Sequence, residues 1–410
     1  MLARLAFLNL WRQKKRTLIT AISVAFGLWI ETVHIGVRHD THTRLVASSV
    51  KMGLGHIAVA PHNFLTLPSP ALRIENADEL QKRVEALPEV KKTLMRVSGT
   101  AVVNSARSST GVVFLGIDTK QDTADYNIFV ASLKEGAVPE PDDELGCLVG
   151  RDLAEKLGLR LNSKLVYNTT GTNGELISEL ARIRGIFVTG NPELDGHAMI
   201  MHLGTIQKSL GYDAKNSSYL AVYLKDSEQL DKSFAKIAPL APPGSDALKW
   251  YESQPDLANF FRIERVTYFI FLVLVGVIIS SGIVNTMMMN VVERRRELGI
   301  MLALGCSPFQ LFSVIVIEAI CIGFLGVGIG FISVIPLYYY LHTYGIDLST
   351  FLENGFQAGG VALSSVVYCT LNIPTIFLIM AGLLLLTVLS SIYPATKAAL
   401  TVPIKAIRDQ

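Results

Sequence analysis

The sequence predicts an integral membrane α-helical protein with four transmembrane helices and a large mixed α+β extracytoplasmic domain inserted between the first two. Three observations carry this. Half of the 410 residues are hydrophobic and the mean hydropathy is +0.39, too apolar for an ordinary soluble chain, while 18% charged residues is too many for one buried wholly in lipid. Four apolar runs come near or exceed the roughly 20 residues needed to cross a bilayer's hydrocarbon core. Between the first and second runs, residues 39–262 alternate strand-like and helix-like patterns.

In chain order, residues 1–16 place Leu2, Leu5, Phe7, Leu8 and Trp11 among basic residues, the pattern of a helix lying along a membrane surface. Residues 17–38 are the first span, apolar apart from Glu31 and His34, continuing outward as a stalk. No small-x-small cleavage site precedes Glu31, so this run reads as an uncleaved anchor rather than a signal peptide. Within 39–262, GHIAVA (55–60), GVVFLGI (111–117), CLVG (147–150), KLVY (164–167), RIRGIFVTG (182–190), MIMHL (199–203) and YLAVYL (219–224) read as strands. RDLAEKLG reads as a helix that starts near Asp152 and stops at Gly158. The second span is 263–289, uncharged from Val266 to Met289. A loop over 290–308 follows, and then a third span, 309–342, interrupted by Glu318 and Pro336. After the short loop 343–372, Pro374 suits the first turn of a fourth span, 373–393, and 394–410 is a tail.

Short-loop charge sets the orientation. Arg4, Arg12, Lys14, Lys15 and Arg16 precede the first span without an acid, Arg294, Arg295 and Arg296 fill the 290–308 loop, and Lys397, Lys405 and Arg408 mark the tail. The 343–372 loop has neither Lys nor Arg. The N-terminus, the 290–308 loop and the tail are therefore expected in the cytoplasm, with the large domain and the 343–372 loop outside. A net charge of +2 gives no reason to expect a nucleic acid or other polyanionic partner.

The residues offer little catalytic chemistry. Cys147, Cys306, Cys321 and Cys369 are scattered, with no CxxC pair or zinc-like spacing, and Cys147 reads as a small buried hydrophobe. His34, His39 and His42 do not share one helical face, so no metal site is expected there. No HExxH, GxSxG or calcium loop occurs, and TGTNGE (170–175) reads as a turn. GFLGVGIG (323–330) lies inside an apolar run. Its Gly326 and Gly330 have the small-xxx-small spacing of close helix packing, within one subunit or across a dimer. Glu318 sits deep in the third span with Asn285 as its most plausible polar companion. One carboxylate is too little for a proton relay or a polar pore. The apolar Val291, Leu298, Met301 and Leu302 recur at helical spacing beside the three arginines.

From Asn285 the sequence NTMMMNVVERRRELGIMLALGCSPFQLFSVIVIEAICIGFLGVGIG resembles the permease subunits of the MacB/LolC/LolE (type VII) superfamily of ABC transporters, closest to the LolC/LolE branch. NLWRQKKRTLIT (9–20), YPATKAALTVPIKAIR (393–408), GIDTK (116–120), LVGRDLAEKLGLRLNSKL (148–165) and GIFVTGNPELDGHAMIM (185–201) extend the resemblance over nearly the whole chain. It implies a coupling helix over 291–306, with Glu293, Arg294, Arg295, Glu297, Leu298, Gly299, Met301 and Leu302 docking into an ATPase. The sequence has no GxxxxGK[ST], so the chain is expected to be non-catalytic and without a cofactor of its own, ATP and Mg belonging to a partner ATPase dimer.

The resemblance further implies a second permease, of the same or a paralogous chain, in an inner-membrane complex. Its function would be mechanotransmission that releases lipoproteins toward an outer membrane, with a periplasmic lipoprotein chaperone or an adaptor as a further partner. Where the LolC pattern has a proline-rich hook, residues 168–180 hold no proline, which points away from chaperone capture or toward a LolE-like role. The alternatives are a MacB-like exporter of peptides or amphiphiles and an FtsX-like signalling permease; a membrane-anchored hydrolase lacks any nucleophile constellation. A lipid-facing groove for membrane lipid or lipoprotein tails is expected around Phe26, Ile30, Phe271 and Val275.

Overall fold

The computed structural model describes residues 14–65, 68–348, 356–358, 361–363 and 366–400. The surface helix expected over 1–16 lies outside them up to residue 13, as does the tail beyond residue 400. Two compact units emerge: Met1–His42 with Ile263–Phe351 and Val366–Gln410, and Thr43–Arg262 with Leu352–Ser365. Among the described residues, four helices are long and apolar enough to cross a membrane.

The first helix, α1, runs Lys14–Ser49 and is followed by a π-turn, Val50–Leu54. The turn ends on glycines because the backbone there is left-handed, with φ of 119° at Gly53 and 70° at Gly55. A Cβ on Gly55 would lie 2.7 Å from the Val222 carbonyl oxygen.

Within Thr43–Arg262 the soluble unit holds one ten-stranded mixed sheet with helices on it. Its elements are β1 (Ile57–Pro61), α2 (Ala77–Glu85), β2 (Val90–Asn104), β3 (Ser109–Ile117), β4 (Leu133–Gly136), β5 (Gly146–Gly150), α3 (Arg151–Leu157), β6 (Lys164–Thr170), β7 (Leu176–Phe187), α4 (Pro192–His197), β8 (Ala198–His202), α5 (Leu203–Leu210), β9 (Tyr219–Leu224), α6 (Leu230–Ile237) and β10 (Ser245–Lys249). The 15-residue β2 belongs to two sub-sheets. Its first half pairs antiparallel with β9, extending the order β10-β1-β9-β2. Its second half pairs with β3, and the pairing continues through β8, β5, β7 and β6 back to β2 at Val102–Asn104. The pairing thus closes β2, β3, β8, β5, β7 and β6 into a ring. Inside it lie Val97, Val103, Phe114, Leu165, Tyr167, Ile183 and Met199, all buried. Cys147 is buried among them, and burial pushes its thiol up to about 12, so it acts as a small hydrophobe. The TGTNGE turn joins β6 to β7, with the Gly171 amide bonded to the Glu175 carbonyl.

The helical unit continues with α7 (Pro255–Glu293), α8 (Arg295–Ala303), α9 (Pro308–Thr343) and α10 (Ile373–Ala399). Its core joins Val24 and Leu28 of α1 to Ile279 and Ile283 of α7, Ile315 and Ile322 of α9 and Leu383 of α10. Gly326 and Gly330 let α9 press against α1 within one chain. A Cβ on Gly326 would lie 2.7 Å from Val24 Cβ, and one on Gly330 3.0 Å from Ala25 Cα. One turn further on, Trp29 Nε1 donates to Ser333 Oγ over 2.9 Å. By contrast α7 is peripheral: only 17% of its apolar stretch is buried, and Val266, Phe269, Ile270, Val273 and Val277 point outward.

Candidate functional site

The candidate site is the segment between α7 and α9. After Glu293 the helix breaks at Arg294, whose backbone (φ −95°, ψ 11°) departs from helical values before α8 begins. Leu304 and Gly305 end α8, Gly305 taking φ 97°, a conformation that favours glycine. Ser307 then caps α9 reciprocally with Gln310, and Pro308 fills the first turn, where its missing N–H costs nothing. These signals together make α8 a short independent helix set between two long ones.

Ionic contacts hold the break before α8 and the end of α7. Arg294 Nη1 donates to Glu318 Oε1 over 2.9 Å, and both side chains are almost fully buried. Arg294 Nε donates to Glu297 Oε2 over 3.3 Å, which also places an acid in the positive first turn of α8. Arg16 of α1 makes a bidentate ion pair with Glu293 at the end of α7. Glu318 therefore has Arg294 as a partner, and not Asn285, which lies on an exposed face of α7.

The expected docking residues divide between two faces. Leu298 and Gly299 are buried, Val291 is buried beside them, and Met301 and Leu302 pack half-buried on the same core. Glu293, Arg295 and Glu297 are exposed, as are Arg296, Ile300 and Leu304, with Phe309 beyond. The outward face thus mixes charge with the apolar Ile300, Leu304 and Phe309, which helical periodicity alone did not single out. Their signal was available: they are the large apolar residues left over once the buried stripe has been assigned.

The expected lipid groove also divides. Phe26 is exposed, but Val275 is buried, Ile30 packs half-buried on the helical core, and Phe271 does so with its ring 4.0 Å from that of His34. These four residues do not share one open surface.

Residues 269–403, which hold the candidate site, match the family model described as FtsX-like permease C-terminal. The lipoprotein-releasing system transmembrane protein LolC of Buchnera aphidicola subsp. Schizaphis graminum is 21% identical over 371 residues, 85% of this chain and 81% of that protein. The macrolide export ATP-binding/permease protein MacB of Salmonella choleraesuis is 24% identical over 354 residues, covering 80% of this chain and 51% of MacB, so the chain spans about half of that relative. Among solved structures, the periplasmic region of MacB from Actinobacillus actinomycetemcomitans aligns with 49% of this chain and 92% of its own length, at 10% identity and a TM-score of 0.35.

Proposed function

We propose that this chain, an ABC-transporter permease of the MacB/LolC/FtsX type, is the membrane subunit of a lipoprotein-releasing machine driven by mechanotransmission. The observation that carries the reading is the fixing of α8. A displacement of its outward face reaches α9 through the buried Arg294–Glu318 pair and α1 through the α9–α1 glycine contact. Both are long levers: at 1.5 Å per residue, the 36 residues of each span about 54 Å, more than a hydrocarbon core.

An ATPase dimer presses on α8, using ATP and Mg that it holds itself, since this sequence lacks a phosphate loop. A second permease, of the same or a paralogous chain, covers the outward apolar face of α7 in the inner membrane. A periplasmic chaperone or adaptor meets the soluble domain. The cargo assignment is supported by the LolC relative and by the character of the spans. Within 17–38, 263–289, 309–342 and 373–393 the buried acids are Glu31 and Glu318, and Glu318 is neutralised by Arg294. Two separated acids do not form a polar path, which suits a cargo that leaves the outer leaflet without crossing between the helices.

The test is depletion of the protein in its own cells. Lipoproteins bound for the outer membrane should accumulate in the inner membrane, and a photocrosslinker at the exposed Phe26 should capture them. Unchanged sorting with increased sensitivity to macrolides or amphiphilic peptides would replace this reading with MacB-like export. Unchanged sorting with a cell-wall defect would favour an FtsX-like signalling role.

A further inference from the structure

A cavity of about 550 Å³ opens between α1, α7 and α10, away from the coupling path. Its wall is mainly apolar, with Leu272, Val275, Ile279, Leu378, Leu383 and Leu386 among its residues, and its size lies in the range of small-ligand pockets. Glu31 also lines it. This side chain belongs to a residue only 7% exposed, and its Oε2 is buried without a hydrogen-bond partner. Such a carboxylate is unfavourable until a donor or a cation meets it.

The cation two turns along α1 does not meet it. Arg38 Nε donates to Glu264 Oε1 over 2.5 Å, and the guanidinium lies 4.6 Å above the Tyr268 ring. His34, between them on the helix, packs on the rings of Phe271 and Tyr268. Glu31 is thus the acid the cavity keeps for something else. Two glycines, Gly276 and Gly382, line the same cavity, and a Cβ on either would meet nothing within 4 Å. The space is therefore unfilled rather than closed by helix packing.

We propose that this cavity binds a membrane-partitioned amphiphile carrying a protonated amine, its apolar body between α7 and α10 and its ammonium on Glu31. A neutral hydroxyl would satisfy one lone pair but leave the charge unmatched; an ammonium satisfies both. The amine has two sources, a bilayer lipid such as phosphatidylethanolamine or a foreign amine amphiphile. The site goes beyond the transport reading and stands whatever the cargo is.

The test is native mass spectrometry of the full-length chain in nonionic detergent, titrated with dodecylamine and with its neutral analogue dodecanol. Dodecylamine should bind about ten-fold tighter than dodecanol, the margin of one charge-assisted hydrogen bond. Glu31→Gln should bring the two probes to equal affinity, and Gly382→Leu, which adds side-chain volume at a position where a Cβ meets nothing within 4 Å, should weaken both. Displacement of dodecylamine by phosphatidylethanolamine but not by phosphatidylglycerol supports the site with a resident lipid. Failure of both lipids to displace it supports the site with a foreign amine. Equal affinity of the two probes for the unmodified chain, or an amine preference that survives Glu31→Gln, overturns the proposal. No ATPase, nucleotide or lipoprotein enters the measurement, so its failure is separate from a failure of the transport reading.

Discussion

Arg294 and Glu318 are 24 residues apart in sequence and meet through a 2.9 Å hydrogen bond that joins the break before α8 to the interior of α9. Their attraction must offset the desolvation of two charges, so the pair adds little net stability, but removing one partner strands the other. Glu318→Gln or Arg294→Ala alone should cost about 3–5 kcal/mol, seen as a lower unfolding temperature of the purified chain. The double variant Arg294→Met/Glu318→Leu should recover most of that stability yet still lose ATPase stimulation in the reconstituted complex. If the double variant keeps normal stimulation, the pair is a structural device only.

The two faces of α8 separate stability from docking. Leu298→Ala removes a fully buried side chain and should destabilise by about 2–5 kcal/mol. Ile300→Ala with Leu304→Ala alters exposed residues and should change stability by no more than about 0.5 kcal/mol per site. The exposed pair should nevertheless lose co-purification with the ATPase. Retained co-purification would move the docking surface away from this face.

The α9–α1 contact makes Gly326 sensitive to a change that Gly382, outside the contact, should tolerate. Gly326→Ala places a methyl against Val24 and the Ala21 carbonyl and should cost about 1–3 kcal/mol through overpacking. Gly382→Ala meets open space on α10 and should be close to neutral. Unfolding temperatures in one detergent decide it; equal effects would contradict the close approach.

What the sequence disclosed follows from what local pattern can encode. Spans and most strands were legible because an apolar run or a short β-branched run carries its own signal. The strand β2 was not, because its start, VKKTLMR, alternates buried residues with exposed Lys91, and because it serves two sub-sheets whose partners are distant in sequence. Periodic apolar residues report the face a helix buries in its own chain, here Leu298, Met301 and Leu302, so they carry no signal for the apolar part of the outward face of α8. Glu318 stood out as an intramembrane acid, but Arg294 as its partner depends on how α8 turns back onto α9. The cavity beside Glu31 is likewise a product of packing among three helices, which no single segment specifies.

The soluble domain supplies a pH test that is independent of the membrane. Burial, aided by nearby Lys91, lowers the His56 imidazole from 6.5 to about 4, and its Nδ1 accepts a hydrogen bond from the Leu224 amide over 3.2 Å, which requires that nitrogen to be unprotonated. On unfolding, the imidazole returns to its ordinary value, so between about 6.5 and 4 the unfolded chain binds more protons than the folded one. Stability must then fall as pH drops through that window, by up to about 3 kcal/mol in all, and stay level with respect to this group above it. His56→Asn keeps an acceptor for the Leu224 amide but does not titrate. Denaturant midpoints of the full-length protein should therefore decline less steeply from pH 7 to pH 4.5 in the variant than in the natural chain. Parallel declines would show that His56 is not held neutral by the fold.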